Sequence, residues 1–585
     1  MKIKKILREP LFYLLPLLAV VYLIIIPARV EISDIKLTRN SQTNSIKLPY
    51  SAGMEKGEFF ISFNISVKNK NTAKFNIVPD DCIQEILING NSFPLDGIQG
   101  LCDYTKGAYF DFSKYVEEGL NHFELRILNH DGPGGLRIDL PYNGFKSLSL
   151  IHYIFALLFL FSIALILRKF KFNFIPILII LLGVLVRLIL YTYVGPSQYA
   201  YDTGGHLEYI QIISEEKRLP KVNESWSTYH PPAYYIASAA LKNIVDKYDQ
   251  SYTNRVLQQG SLLLSIASII FGVALILNLF GNCFVAYLAA VISVLWPGYV
   301  LAAPRISNDV LFYFGALFCM MFAQRYWRMH RSSDMILATI GAVIAFSAKS
   351  NGYVILCIWI LIHALNVLRF WKIGSLRALF AATLIVLLGI GFSNHRIIVD
   401  IYNGKKTELI GNIGSLNGGM MVKNNIGNYL YFDMQDYLLE PYASTWIDKG
   451  GRQYFWNFAL KTSLFGEFRF WDAPIGRVVA TMLSVFLLFI LAFALWGIIH
   501  TKVKDFPPML FTVFLFAALI YIRAKYPFSA VNDFRFILPV VFPITYFSVR
   551  GVEILQNFRL RMLSYVILLS FAGLSLLFIV GRAFV

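Results

Sequence analysis

The sequence predicts a polytopic α-helical membrane protein that carries one small β-sandwich domain outside the bilayer. Three observations carry this expectation. Of the 585 residues, 56% are hydrophobic and 15% charged, whereas soluble domains carry roughly a quarter charged residues. Apolar runs of about 17 residues or more, long enough to cross a hydrocarbon core, recur down most of the chain. Between the first two runs lies a polar stretch with strand-like alternation. Disordered and fibrous classes are excluded by the same composition. The net charge of +17 is spread in short clusters between apolar runs rather than gathered in one patch, which argues against a nucleic-acid partner.

Residues 1–28 combine a basic start (Lys2, Lys4, Lys5, Arg8) with an apolar run and no small-residue cleavage site, so they read as an uncleaved anchor with a cytoplasmic N-terminus. Residues 29–149 alternate in short strands, Phe59 to Val67, Ile83 to Ile88 and Phe123 to Leu128, separated by Asn89-Gly90 and the Gly132 to Gly135 run. This is the pattern of a β-sandwich. Further spans are expected near 150–167, 174–194, 256–279, 283–301, 309–326, 335–348, 353–369, 376–393, 476–499, 508–522, 533–549 and 562–582. With the anchor they make about thirteen transmembrane helices. The domain plan is therefore an anchor at 1–28, a sandwich at 29–149, helices 2–3 at 150–194, a loop at 195–255, helices 4–9 at 256–393, a second loop region at 394–475 and helices 10–13 at 476–585.

Orientation follows from Lys and Arg in short connections, which are retained on the cytoplasmic side. The groups Arg168, Lys169 and Lys171; Arg325, Arg328 and Arg331; Arg369, Lys372 and Arg377; Lys502 and Lys504; and Arg550, Arg559 and Arg561 are all cytoplasmic on this count. The three long segments 29–149, 195–255 and 394–475 then face the other side, where chemistry is expected. Of the five cysteines, Cys283, Cys319 and Cys357 lie in apolar runs and read as small hydrophobes. Cys82 and Cys102 are a candidate disulfide if the sandwich meets an oxidising compartment; two buried free thiols are the alternative.

The loop from Tyr201 to Leu241 holds the densest set of reactive groups. Asp202, His206 and Tyr209 recur at i, i+4 and i+7, so a helix entered at Gly204-Gly205 would carry all three on one face. Ionisable groups at the rim of a membrane bundle are functional candidates by default. The bland alternative makes Asp202 an N-cap and His206 a hydrogen-bonded interfacial residue. Downstream, Tyr229-His230-Pro231-Pro232-Ala233-Tyr234-Tyr235 sets two prolines at a first helical turn and presents His230, Tyr234 and Tyr235 at the lip of the next element. Glu208 falls on another helical face and is expected to be structural or solvent-facing, and Arg187, inside a span, must snorkel or face the bundle interior.

The Asp in the first long external loop, the His one turn later and the HPPxYY run resemble the polyprenyl-phosphate-sugar-dependent glycosyltransferases of the GT-C superfamily, among them the protein O-mannosyltransferases and lipid A aminoarabinose transferases. Asn254-Arg255, Arg305 to Asp309, Ala348 to Gly352 and Asn532 to Phe536 fit the same pattern, which covers about residues 174–550. Many members carry adjacent acids where this chain has Asp202-Thr203. The stretch Phe110 to Leu136 loosely resembles the galactose-binding-like jelly rolls attached to carbohydrate-active enzymes.

The resemblance implies a GT-C-like membrane enzyme that moves a sugar from a polyprenyl-phosphate donor to an acceptor hydroxyl on a glycan, lipid or protein, with inversion, at the periplasmic face of a bacterial inner membrane. A hydroxyl needs a base to take its proton, for which Asp202 is the candidate, with His206 beside it. The leaving phosphate gains charge and calls for fixed cations: Arg255, Arg305, Lys349 and Arg535 lie at external boundaries, Arg187 being a weaker candidate. Tyr209, His230, Tyr234, Tyr235 and Glu467 are expected to line the substrates. Tyr454-Phe455-Trp456 suits either an interfacial belt or sugar stacking. No cofactor is required; a divalent ion on Asp202, His206 and His230 is the minority alternative, and their spacing matches no compact metal motif. The competing functional classes are a lipid or glycan transporter and a non-catalytic envelope assembly protein.

Overall fold

A computed structural model describes residues 30–139 and 150–584, apart from 47, 49, 54–55, 68–69, 71–72, 131–132, 140–149, 197, 223, 248–252, 371–375, 404–417 and 449–450. The expected anchor at 1–28 lies outside the described residues.

The polar stretch folds as two antiparallel sheets, one ordered β2-β1-β4-β9-β6-β7 and the other β3-β10-β5-β8. The strands are β1 Val30–Arg39, β2 Gln42–Ser45, β3 Tyr50–Gly53, β4 Gly57–Val67, β5 Lys74–Pro79, β6 Cys82–Ile88, β7 Asn91–Ser92, β8 Ala108–Asp111, β9 Gly119–Asn129 and β10 Pro133–Asp139. Alternation places Phe59, Ile61, Phe63, Ile65 and Val67 of β4 inward, against Phe123, Leu125 and Ile127 of β9 and Phe75, Ile77 and Phe110 of the second sheet. Asn89 and Gly90 both take positive φ, 51° and 82°, which closes the β6–β7 hairpin with the twist its strands need. Cys82, opening β6, is bonded to Cys102.

The rest is helical. In chain order the helices are α1 Leu150–Lys169, α2 Phe174–Tyr193, α3 Thr203–Glu216, α4 Ala233–Val245, α5 Thr253–Phe280, α6 Phe284–Val294, α7 Pro297–Leu301, α8 Asp309–Met329, α9 Ser332–Ala348, α10 Gly352–Phe370, α11 Leu376–Tyr402, α12 Gly427–Leu430, α13 Met434–Leu439, α14 Phe455–Phe465, α15 Pro474–Ile499, α16 Phe506–Lys525, α17 Val541–Ile554 and α18 Phe558–Phe584. Among the described residues, 8 helical stretches are long and apolar enough to cross a membrane, and the chain is a helical membrane protein. Two expected spans are interrupted. The 283–301 run breaks between α6 and α7, where Pro297 has no N–H to continue the ladder and the Trp296 indole donates to Ser463 O at 2.7 Å. The 533–549 run opens as a 3₁₀ segment, Phe534–Val540, that contains Pro539, and becomes α-helical only at Val541. Helices α15 and α17 touch through glycines: a Cβ on Gly497 would meet Phe547 O at 2.1 Å and one on Gly551 would meet Phe493 O at 2.0 Å, so only bare backbone allows that approach.

α8 shows how the bundle is polarised. Its 21 residues span about 30 Å at 1.5 Å each, comparable with a hydrocarbon core. Near its C-terminus Arg325 pairs with Asp334 at 3.3 Å and Arg328 with Asp505 at 3.4 Å. At its N-terminus Asp309 meets the site described next.

Candidate functional site

The stretch leading into α3 takes an uncommon backbone path. Tyr199 and Asp202 have φ of 47° and 49°, left-handed values that cost a non-glycine residue energy and persist only when the surroundings enforce them. Asp202 occupies the N-cap position, yet its side chain makes no cap hydrogen bond; the capping role weighed from the sequence is not what the carboxylate does. Instead Oδ1 accepts from the Trp226 indole N–H at 3.1 Å and Oδ2 lies 3.6 Å from Arg535 Nη2. Gly205 permits this closeness, because a Cβ there would fall 2.5 Å from Ser227 Oγ.

One turn on, His206 and Tyr209 lie on the buried side of α3, while Asp202 stands outside the helix, left-handed and exposed, so the expected face is carried by two of its three residues. His206 and Tyr209 are buried. His206 Nδ1 bonds the Tyr235 hydroxyl at 2.8 Å, the Tyr209 and Tyr235 rings stack at 3.8 Å, and the His206 and His230 rings lie 6.0 Å apart. Tyr209 donates to His230 O at 3.3 Å. Tyr234 turns the other way, toward Ser261 of α5. Burial lowers His206 from its ordinary 6.5 to about 4 and His230 further still, with the Lys349 charge next in effect on His230. Both imidazoles are therefore held neutral. The HPP turn is clamped from a distant helix: Arg396 of α11 donates to Pro220 O at 3.0 Å, Thr228 O at 2.7 Å and His230 O at 2.7 Å, and covers the Tyr209 ring at 5.4 Å. α11 runs past the expected membrane edge at 393 to Tyr402, which is how Arg396 reaches the loop.

Three of the four expected cations converge here. Arg535 sits at 3.9 Å over the Tyr201 ring, between Asp202 and Asp533. Asp533 is fully buried and accepts from Arg535 N at 2.8 Å, fixing the turn that aims the guanidinium. Arg305 flanks the same Tyr201 ring at 4.6 Å and donates to Tyr199 O at 2.7 Å. Lys349, in the α9–α10 connection, is buried in an ion pair with Asp309 and lies 4.6 Å from the Phe536 ring centre. Arg255 is engaged elsewhere. Its guanidinium donates to Tyr191 O and Val194 O at 3.2 Å and to Gln258 Oε1 at 2.6 Å, satisfying carbonyls at the end of α2.

Glu467 belongs to the cluster. Its backbone N–H donates to the Tyr201 hydroxyl at 3.1 Å, and burial, followed by the Asp533 carboxylate, pushes its carboxyl well above the usual range. The neighbouring aromatic run packs inward: Phe455 is buried and Trp456 lies 6.2 Å from Phe516. Lys461 is spent on Asp436 at 2.8 Å. Glu208, exposed, accepts from Ser225 at 2.6 Å. Arg187 faces the bundle interior, donating to Ser265 Oγ, Gly183 O and Val294 O at 3.0 Å.

Sequence reasoning left several of these residues without a role. Asp309 and Asp533 sit inside stretches that drew notice only for their basic neighbours, and Trp226 and Arg396 carry no motif. Of the four carboxyl-bearing residues, Asp202 has a side chain 41% exposed, against 7% for Asp309 and 0% for Asp533, with Glu467 partly buried. Only Asp202 therefore combines a cation at its side with open access. Among the described residues, no group of three or more His, Cys, Asp or Glu side chains is disposed to hold a metal ion. Comparison with protein families and with curated proteins gives no match to this chain.

Proposed function

We propose that the protein is a GT-C-like membrane glycosyltransferase that moves a sugar from a polyprenyl phosphate to an acceptor hydroxyl. The observation that carries this reading is the meeting of one accessible carboxylate, Asp202, with Arg305, Lys349 and Arg535 from chain-distant segments. Asp202 takes the acceptor O–H proton as the oxygen attacks the anomeric carbon. The bond from that carbon to the phosphate oxygen breaks on the opposite face, and the electron pair leaves on polyprenyl phosphate. The configuration inverts and no covalent enzyme intermediate is needed. Arg535 and Lys349 stand where the phosphate gains charge. Arg305 holds the Tyr201 segment between them.

A lipid-borne donor also has a place for its tail. An apolar cavity of about 440 Å³, lined by Ala233, Leu311, Val343, Ile385, Gly389 and Phe392, opens between α4, α8, α9 and α11. Ala233 follows the HPP turn and α9 ends one residue before Lys349, so the cavity adjoins the cation cluster. On this reading the site faces the periplasm of a bacterial inner membrane, the basic end of the bundle is cytoplasmic, about thirteen helices cross the bilayer, and the sandwich sits between the first and second.

The test is reconstitution in nanodiscs with radiolabelled polyprenyl-phosphate hexoses and pentoses, with isolated membranes as the acceptor pool. Release of polyprenyl phosphate with sugar transfer is expected from wild type, and a fall of roughly a thousandfold for Asp202→Asn, within the range for loss of a general base. Transfer unchanged in Asp202→Asn removes Asp202 as the base. Labelling of a cysteine placed at the exposed Lys221 from the cytoplasmic side alone would reverse the proposed topology.

A further inference from the structure

The sandwich meets the approach to the site through the loop that follows Cys102, and that loop is densely bonded within itself. Cys102 is bonded to Cys82. Asp103 Oδ1 accepts from Thr105 N at 2.9 Å, Thr105 Oγ1 at 2.7 Å and Lys106 N at 2.9 Å, and Asp103 O accepts from Gly107 N at 2.8 Å. Gly107 takes φ of 70°, and a Cβ there would lie 2.4 Å from Ile77 O, so the loop is also seated tightly on β5. Two carbonyls of the loop also bond beyond the sandwich, Lys106 O doing so while it accepts from Asn76 Nδ2 of β5 at 3.0 Å. Thr105 O accepts from Tyr199 N at 2.9 Å, and Lys106 O accepts from Gln198 Nε2 at 2.9 Å.

Those two partners open the strained approach to Asp202. Gln198 Oε1 accepts from Gly195 N at 2.8 Å, which folds the start of the segment. Tyr199, left-handed, gives its carbonyl to Arg305 Nε at 2.7 Å and its ring to Phe470 at 5.0 Å. Tyr201 lies between Arg305 and Arg535, and Asp202, again left-handed, follows. Left-handed backbone at non-glycine residues relaxes unless contacts over-determine it. At Tyr199 part of that determination comes from another domain.

We propose that the Cys102–Gly107 loop of the sandwich is a positioning element of the site, holding residues 198–202 so that Asp202 stays beside Arg535, and that the Cys82–Cys102 bond keeps this loop in shape. The inference rests on the reading of Asp202 as the base, but its structural half is independent of that reading. It gives the sandwich a task other than binding a substrate, and it makes activity dependent on an oxidising compartment.

The experiment compares full-length wild type, Gln198→Glu and Cys82→Ser/Cys102→Ser in nanodiscs. Gln198→Glu keeps the acceptor for Gly195 N and replaces the donor facing Lys106 O with a carboxylate oxygen. Amide hydrogen exchange over 195–205 is read together with transfer from a radiolabelled polyprenyl-phosphate hexose. Both variants should exchange faster at Tyr199 and its neighbours, and kcat should fall roughly tenfold with the donor KM within about twofold, as expected when a base is misplaced while donor binding persists. Unchanged exchange in both variants overturns the proposal whatever the activity. Faster exchange with unchanged kcat overturns the positioning role. Should the double cysteine variant fail to fold, Gln198→Glu decides alone. An inactive wild type would count against the glycosyltransferase reading, and the exchange data would still decide whether the loop holds the segment.

Discussion

Replacing Arg396 by Ala removes a clamp that no sequence motif announces. Its guanidinium makes three hydrogen bonds to the carbonyls of Pro220, Thr228 and His230, at 2.7 to 3.0 Å, and lies over the Tyr209 ring. A charged donor to a carbonyl contributes about 1.5–3 kcal/mol when dry. The residue is only partly buried, so water can replace part of each bond, and about 1 kcal/mol apiece is a fair discount. The loss of roughly 3 kcal/mol falls on the turn that carries Trp226 and His230, and at 1.36 kcal/mol per decade it corresponds to about a hundredfold. The proposed transfer should fall by that order in Arg396→Ala, with faster amide exchange over 220–232. Arg396→Lys, which has no planar fork, should recover only part of it. Wild-type kcat in Arg396→Ala, with exchange at 220–232 unchanged, would refute the clamp.

Other consequences follow from the same geometry. Lys349→Met leaves Asp309 buried without its partner and should lower stability by about 3–5 kcal/mol, whereas Lys349→Met with Asp309→Leu should restore most of the melting temperature; if transfer returns with it, Lys349 has no phosphate role. His206 sits in the folded state at about 4, below its ordinary 6.5, so the unfolded chain binds more protons between those values. Stability should rise as pH increases through that window and reach its plateau above about 6.5, by at most about 3 kcal/mol from this residue. Thermal melts at pH 4.5, 5.5 and 7 should show the slope, and His206→Phe should blunt it. Gly205→Ala drives a methyl into Ser227 Oγ at 2.5 Å; the proposed activity should fall more than tenfold and be partly recovered by Ser227→Gly.

Much of this was legible because helices and strands are local. Helical spacing placed His206 and Tyr209 on one side of α3, with Asp202 just outside the helix, and period-two alternation gave β4 and β6 to within two residues and the C-terminal half of β9. Span ends were less legible. Hydropathy falls at 393 while the backbone ladder of α11 continues to Tyr402, since polar residues do not stop a helix. The cations show the deeper limit. Arg255, Arg305 and Arg535 look alike in sequence, each at the edge of an apolar run. What separates them is which acceptor lies within reach: helix-end carbonyls for Arg255, the Tyr199 carbonyl and the Tyr201 ring for Arg305, carboxylates for Arg535. That depends on how distant helices pack, through contacts such as Gly497 with Gly551 that carry no chemical signature.

The charge balance of the cluster bears on why it would suit a phosphate leaving group. Asp202, Asp309, Glu467 and Asp533 face Arg305, Lys349 and Arg535, and burial holds the Glu467 carboxyl well above the usual range. Four acidic side chains thus stand among three cations, so the positive charge of the site is already opposed before any donor arrives. A sugar bound through a phosphodiester adds one negative charge, and the phosphate monoester released adds up to two. A preorganised site whose cations are already opposed by acidic side chains gains more from the charge that develops than from the ground state, which is the condition for accelerating the chemical step rather than only tightening binding. Arg535 is the group best placed to move between these demands, since Asp202 and Asp533 each hold it at 3.6 and 3.9 Å, longer than a direct charge-assisted hydrogen bond. On the proposed reading an arriving phosphate draws Arg535 from Asp202, which frees the carboxylate oxygen to accept the hydrogen bond of the acceptor hydroxyl.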